Sequence, residues 1–197
     1  MMEKVNIAIF VSGNGTNCEN IIRYFQGSEQ IRVALVVSNK ADAYALVRAR
    51  NLGVDTVVMP KKDLNDEQRL LPLLHRYSIR FIVLSGFLLL IPTFLVRAYD
   101  HRILNLHPAL LPKFGGKGMY GHHVHEAVYA AHEYETGMTV HWVSEQCDGG
   151  EIIAQYKTPL LSTDTPARIA EKEHELEMAY FPVVIERVIR KTFDFIR

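Results

Sequence analysis

Asn105 and His107 stand two residues apart at the head of the run "NLHPALLPKFGG", which continues into a loop with two prolines and two glycines. If residues 102 to 107 are extended, the period of two along a strand sends both side chains to the same face, aimed at one spot. Pro108 biases His107 towards extended geometry and cannot donate to a sheet ladder, so the strand should stop there with the imidazole at its mouth. An amide supplies donors and an acceptor, and an imidazole carries a proton near neutral pH. Asp148, far downstream in "CDGGE", is a candidate partner: a carboxylate beside an imidazole favours the protonated ring and fixes its orientation, which makes an acid/base pair. Without such folding back, "CDGGE" reads as an Asp-Gly hairpin turn.

A second constellation is "SGNGTN", Ser12 to Asn17, directly after the first apolar run. Its glycines allow a tight turn, and the N-terminus of the following helix offers unpaired N–H groups and partial positive charge, a seat for a phosphate; the alternative is an ordinary capping turn. The pattern is neither GxGxxG nor GxxxxGK[ST], so neither a dinucleotide nor a nucleoside triphosphate is indicated. Nine histidines raise the question of a metal, especially in "HHVHE", where His122 and His125 are one helical turn apart. No HExxH and no clustered cysteines accompany them, so no metal is expected. His141 alternates with Val140 and Trp142 on a strand and is either a supporting group or a satisfied core histidine, the latter favoured.

These residues need a scaffold. In the first half, short β-branched runs alternate with helical patterns: "VNIAIFV" and a helix from about Thr16, "VALVVSN" and "DAYALVRARNLG" closed by Gly53, "VDTVVMP" and "DEQRLLPLLHRY", then "IRFIVLSG". Strand, helix, strand in repetition implies a parallel sheet covered on both faces with right-handed crossovers. Pro72 is expected to bend its helix or shift its start. Later come a helix over "HHVHEAVYAAHE" and strands "MTVHWVSE" and "GEIIAQYKTPL", which include an antiparallel pair. A long helix from about Thr165 to Lys191 follows, with Asp164 as its N-cap and Pro182 interrupting it. The expected class is therefore α/β, a Rossmann-like doubly wound and mostly parallel sheet with an antiparallel C-terminal extension.

The 197 residues fit one domain, residues 1 to 197. Lys plus Arg (22) balances Asp plus Glu (22), so no global field recruits nucleic acid or a membrane surface, and a small-molecule ligand is expected. The apolar stretch from Phe81 to Val96 is broken by Gly86 and Pro92 and is too short for a span; the N-terminal run is too short for a signal peptide. Cys18 and Cys147 form no disulfide-like framework and read as small buried hydrophobes, which suits a reducing cytoplasm.

Taken in order and at these intervals, "SGNGTN", "NLHPALLPKFGG" and "CDGGE" resemble the phosphoribosylglycinamide formyltransferases of purine biosynthesis, and the likeness, which includes "VVSNKADAYALVRARNLGV", runs over nearly the whole chain. The resemblance implies transfer of a formyl group from 10-formyltetrahydrofolate, as cosubstrate and without a metal, to the amine of glycinamide ribonucleotide. It implies that Asn105 donates to the formyl oxygen while His107, held cationic by Asp148, stabilises the oxyanion and moves the proton. It puts the substrate phosphate on the backbone of Gly15, Thr16 and Asn17, the ribose hydroxyls on Glu177 and the phosphate near His174, the last two sharing a helix face. The folate would insert near Leu88, Leu89, Leu90 and Ile91 and the loop Ser144, Glu145, Gln146, Cys147 and Asp148, with Asn105 and Lys62 as further contacts. On this reading residues 1 to about 100 bind phosphate and nucleotide, residues from about 101 to 197 carry catalysis and the folate, and the protein is a monomer or homodimer.

The chain departs from relatives in having Leu88-Leu89 where Met-Arg is frequent, and a longer loop after the central motif. Three other activities share the catalytic triple. A 10-formyltetrahydrofolate deformylase would be expected to carry an N-terminal regulatory domain, and a methionyl-tRNA formyltransferase a C-terminal one; sugar-amine formyltransferases are the third. A non-enzymatic phosphate-binding module would leave Asn105, His107 and Asp148 without a task.

Overall fold

The structure, a computed structural model, describes residues 4–194. Seven strands form one sheet in the order β3-β2-β1-β4-β5-β6-β7. The central strands are β1 (Val5–Val11), β2 (Ile31–Ser38) and β4 (Ile79–Leu84), flanked by β3 (Asp55–Val58) and β5 (Ile103–His107), all parallel. β6 (Glu135–Trp142) and β7 (Ile152–Pro159) extend the sheet antiparallel, β6 against β5 as well as β7 against β6. Strand order reverses between β1 and β4, and ligands of doubly wound sheets sit beyond the carboxyl ends of such a pair.

Burial on both faces explains the near-continuous apolar runs. Val5, Ile7, Ile9 and Val11 of β1 pack with α1 (Thr16–Phe25), α2 (Tyr44–Asn51) and the long α7 (Pro166–Thr192). Ala8 and Phe10 face the other way, onto α4 (Glu67–Arg76), α5 (Thr93–Ala98) and the single turn α3 (Lys61–Leu64). A third cluster, Val124 and Val128 of α6 (His122–Ala130) with Ala109 and Ile169, seats α6 against α7 and the loop after β5.

Two expectations for the helices, the break at Pro182 and the cap of α7, need correction. Pro72 lies inside α4, which starts at Glu67 with Asp66 as its side-chain cap. The carbonyl that Pro72 leaves without a donor belongs to Gln68, an exposed residue, so water can satisfy it. Pro182 does not interrupt α7 either: the carbonyl it frees, that of Met178, accepts from the Asn20 side chain at 2.8 Å. The cap of α7 is Thr165, whose hydroxyl accepts from the Arg168 N–H, whereas the Asp164 carboxylate accepts from the Leu161 N–H and pairs with Lys172. Cys18 is buried as expected, its thiol pushed up to about 12 by burial and by Glu19, but Cys147 is exposed.

Candidate active site

Sheet register brings the candidate catalytic residues to one face. β5 pairs with β6 so that Asn105 lies opposite His141 and His107 opposite Thr139, which puts Asn105, His107 and His141 on one side of the sheet. His141 Nδ1 lies 2.9 Å from the Trp142 carbonyl, and its Nε2 lies 3.0 Å from the Asn105 amide nitrogen. That nitrogen carries two N–H groups and only one can face His141, so the second is left for the cavity. His141 is buried, lines the cavity and orients Asn105, so the core-histidine reading gives way to the supporting one.

Asp148 folds back as the acid/base reading requires. Its Oδ2 lies 3.7 Å from His107 Nδ1 and accepts from the Gly116 N–H at 2.9 Å; its Oδ1 is 3.6 Å from His141 Nε2. Burial works to raise the Asp148 carboxyl pKa, but the His141 ring, the Gly116 N–H and His107 outweigh it and hold the group below its ordinary value. The turn is tight: Asp148 has φ 50°, and a Cβ on Gly150 would sit 1.7 Å from the Trp142 carbonyl oxygen. His107 donates from Nε2 to the Phe114 carbonyl at 2.8 Å, which leaves Nδ1 for proton traffic. Burial lowers the His107 pKa and prevails over Asp148 and the Phe114 carbonyl, which act to raise it.

The candidate anion seat is built from main chain. Gly15 takes φ 79°, and a Cβ there would come within 2.3 Å of Ala45 Cβ, so the start of α2 packs directly on the turn. Arg48 of α2 donates to the carbonyl and the side chain of Asn14 and pairs with Glu19. Among the described residues no side chain caps α1, which leaves the N–H groups of its first turn without a capping side-chain acceptor there. Ser12 links the turn to the next wall: its hydroxyl donates to Asn39 at 2.6 Å and accepts the Leu88 N–H at 2.9 Å. Asn17 donates to Glu177 at 2.7 Å, and Glu177 also faces His174 Nδ1 at 3.3 Å, the contact that raises the His174 pKa.

A cavity of about 1100 Å³ joins these pieces. Its lining takes in Asn105, His107 and Asp148, then Gly15, Asn17, His174 and Glu177, and along the opposite wall Leu88 to Ile91 and Ser144 to Cys147. Thr16 and Lys62 are not in that lining; Asn65, just past the end of α3, reaches it where Lys62 does not. His125, weighed in the sequence only as a metal ligand, and Glu173, which no motif singled out, also line the cavity. The grouping closest to a metal site among the described residues is exposed His122, His123 and Glu126, none of which lines the cavity.

A doubly wound sheet with an Asn-His-Asp group at its carboxyl end and a glycine turn beside it defines a class of group-transfer enzymes. The chain belongs to the formyl transferase family, whose pattern matches residues 5–185. Within that class it is similar to phosphoribosylglycinamide formyltransferases. The chloroplastic one of Arabidopsis thaliana is 41% identical over 90% of this chain and 63% of its own length, and that of Haemophilus influenzae is 34% identical over 91% and 85%. The chain thus spans less than two thirds of the plant relatives it matches. The crystal structure of the Bacillus halodurans phosphoribosylglycinamide formyltransferase superposes with a TM-score of 0.85 at 31% identity, covering 95% of this chain and 96% of that one.

Proposed function

We propose that this chain transfers the formyl group of 10-formyltetrahydrofolate to the amine of glycinamide ribonucleotide, giving formylglycinamide ribonucleotide and tetrahydrofolate, with residues 1 to 197 acting as one unit and without a metal. The carrying observation is that Asn105, His107 and Asp148 line the same cavity as Gly15 and Asn17 at the N-terminus of α1. Such a cavity suits a donor and an anionic acceptor held side by side.

The substrate amine attacks the formyl carbon, forming the new C–N bond and a tetrahedral oxyanion. The free N–H of Asn105 donates to that oxygen. His107 Nδ1, neutral at rest, takes the proton lost by the attacking nitrogen, and Asp148 stabilises the imidazolium for as long as it exists. The ring then returns the proton to the folate N10 as the C–N10 bond breaks, so the proton count balances. Asn17 Oδ1, buried and without a donor among the described residues, suits a hydroxyl of the ribose beside Glu177. The apolar wall of Phe87 to Ile91 with Val143 suits a flat pterin.

The test incubates the protein with 10-formyltetrahydrofolate with and without glycinamide ribonucleotide. Tetrahydrofolate release that requires the nucleotide, with formylated product, is expected. Release indifferent to the nucleotide would point to a hydrolase, and no release to a binding module.

A further inference from the structure

The wall contributed by α6 and α7 holds a polar pair that the reaction above does not use. Glu173 is 1% exposed, and its Oε1 accepts from the Thr136 hydroxyl. Its Oε2 lies 2.7 Å from His125 Nδ1, at ion-pair distance but not aligned as a hydrogen bond, and neither of these two facing atoms has a hydrogen-bond partner among the described residues. A buried carboxylate is costly, and this one is not needed to join α6 to α7, because Val124, Val128 and Ile169 already do so. With Nδ1 turned to the carboxylate, Nε2 is the nitrogen of His125 left without a partner among the described residues, on a ring that lines the cavity.

Position says which part of the cavity this is. Ala170, Glu173, His174 and Glu177 follow one another at helical spacing on α7 and all line the cavity. Glu177 accepts from Asn17 in the first turn of α1, and His174 sits beside Glu177. Lys117, in the loop before α6, lines the same space. His125 therefore adds a donor to a wall that already carries His174 and Lys117, facing the end of the cavity where α1 begins.

We propose that His125, oriented by Glu173, is a phosphate-binding residue: its Nε2–H donates to a phosphate oxygen of the nucleotide seated on the first turn of α1. The two ring N–H groups then face two acceptors, the Glu173 carboxylate at Nδ1 and the phosphate at Nε2. This rests on the nucleotide reading above.

The test measures kcat, the KM of each substrate and the inhibition constant of inorganic phosphate for the full chain and its variants. His125→Ala is expected to raise the glycinamide ribonucleotide KM and the phosphate inhibition constant together by about tenfold, as for loss of one charge-assisted hydrogen bond, with kcat and the folate KM within about twofold. His125→Lys, which keeps a donor cation, should recover much of the loss, and Glu173→Gln should give a smaller rise in the same two constants. An unchanged nucleotide KM in a folded His125→Ala or His125→Gln protein would overturn the proposal, as would an equal rise for both substrates or no rescue by lysine. If the wild type does not use the nucleotide at all, the function fails instead, and calorimetric binding of inorganic phosphate to wild type and variant still decides the role of His125.

Discussion

The two ends of the cavity are built by different means. The anion seat at Gly15 to Asn17 is main chain, shaped by a left-handed glycine and the close approach of Ala45. The catalytic end is side chain: Asn105, His107, His141 and Asp148, drawn from two antiparallel strands and a turn. Backbone sites are sensitive to any Cβ and indifferent to many side chains; side-chain sites are the reverse. The first should therefore fail in binding and the second in turnover.

The largest effect tests the catalytic end. His107→Ala is expected to cost about 3 to 4 kcal/mol of transition-state stabilisation, roughly 10² to 10³ in kcat, with the nucleotide KM nearly unchanged. Asp148→Ala should behave alike, and near-wild-type kcat in either variant would dissolve the contrast. Gly15→Ala should do the opposite, raising the nucleotide KM by about tenfold, or ~1.4 kcal/mol, while kcat holds in steady-state assays. Ser12→Ala removes the hydroxyl that ties the glycine turn to the Leu88 wall and leaves the Leu88 N–H without its acceptor; a loss of about 1 to 2 kcal/mol is expected by denaturant unfolding.

A pH profile sharpens the picture at the catalytic end. Because burial depresses the His107 pKa, the neutral ring persists below the ordinary imidazole range, and the acid limb of kcat/KM should fall there. Asp148 works to raise that pKa, so Asp148→Asn should move the residual limb to still lower pH; a shift to higher pH would contradict the geometry. Stability follows the same sign. Both His107 and Asp148 have folded-state values below their unfolded ones, so the unfolded chain binds more protons and acid destabilises the fold. Glu173, raised by burial, acts in the opposite direction as pH rises above its ordinary value. The smallest effect is at Lys62: Lys62→Ala should leave both KM values within about twofold, since the residue does not line the cavity.

Much of this was legible in the residues. Continuous apolar runs punctuated by glycine and proline gave the strands, and the period of two put Asn105 and His107 on one face before any pairing was known. His141 could not be placed that way, because its partner depends on the β5–β6 register. His125 and Glu173 meet only through the packing of α6 on α7, which their spacing does not encode. Pro182 misled because its compensation, the Asn20 amide, comes from the other end of the chain. The lowered pKa of His107 follows from how deeply the fold encloses it, a property of the assembled cavity.

The hydrogen bond between Asn17 and Glu177 spans 160 positions of sequence. During synthesis the glycine turn leaves the ribosome early, yet the pocket rim around it is finished only when the last long helix has docked. Nucleotide can then stabilise completed molecules by mass action and gives partial ones no comparable protection. In a cell rich in this ligand, shielding from proteases would favour finished chains over fragments.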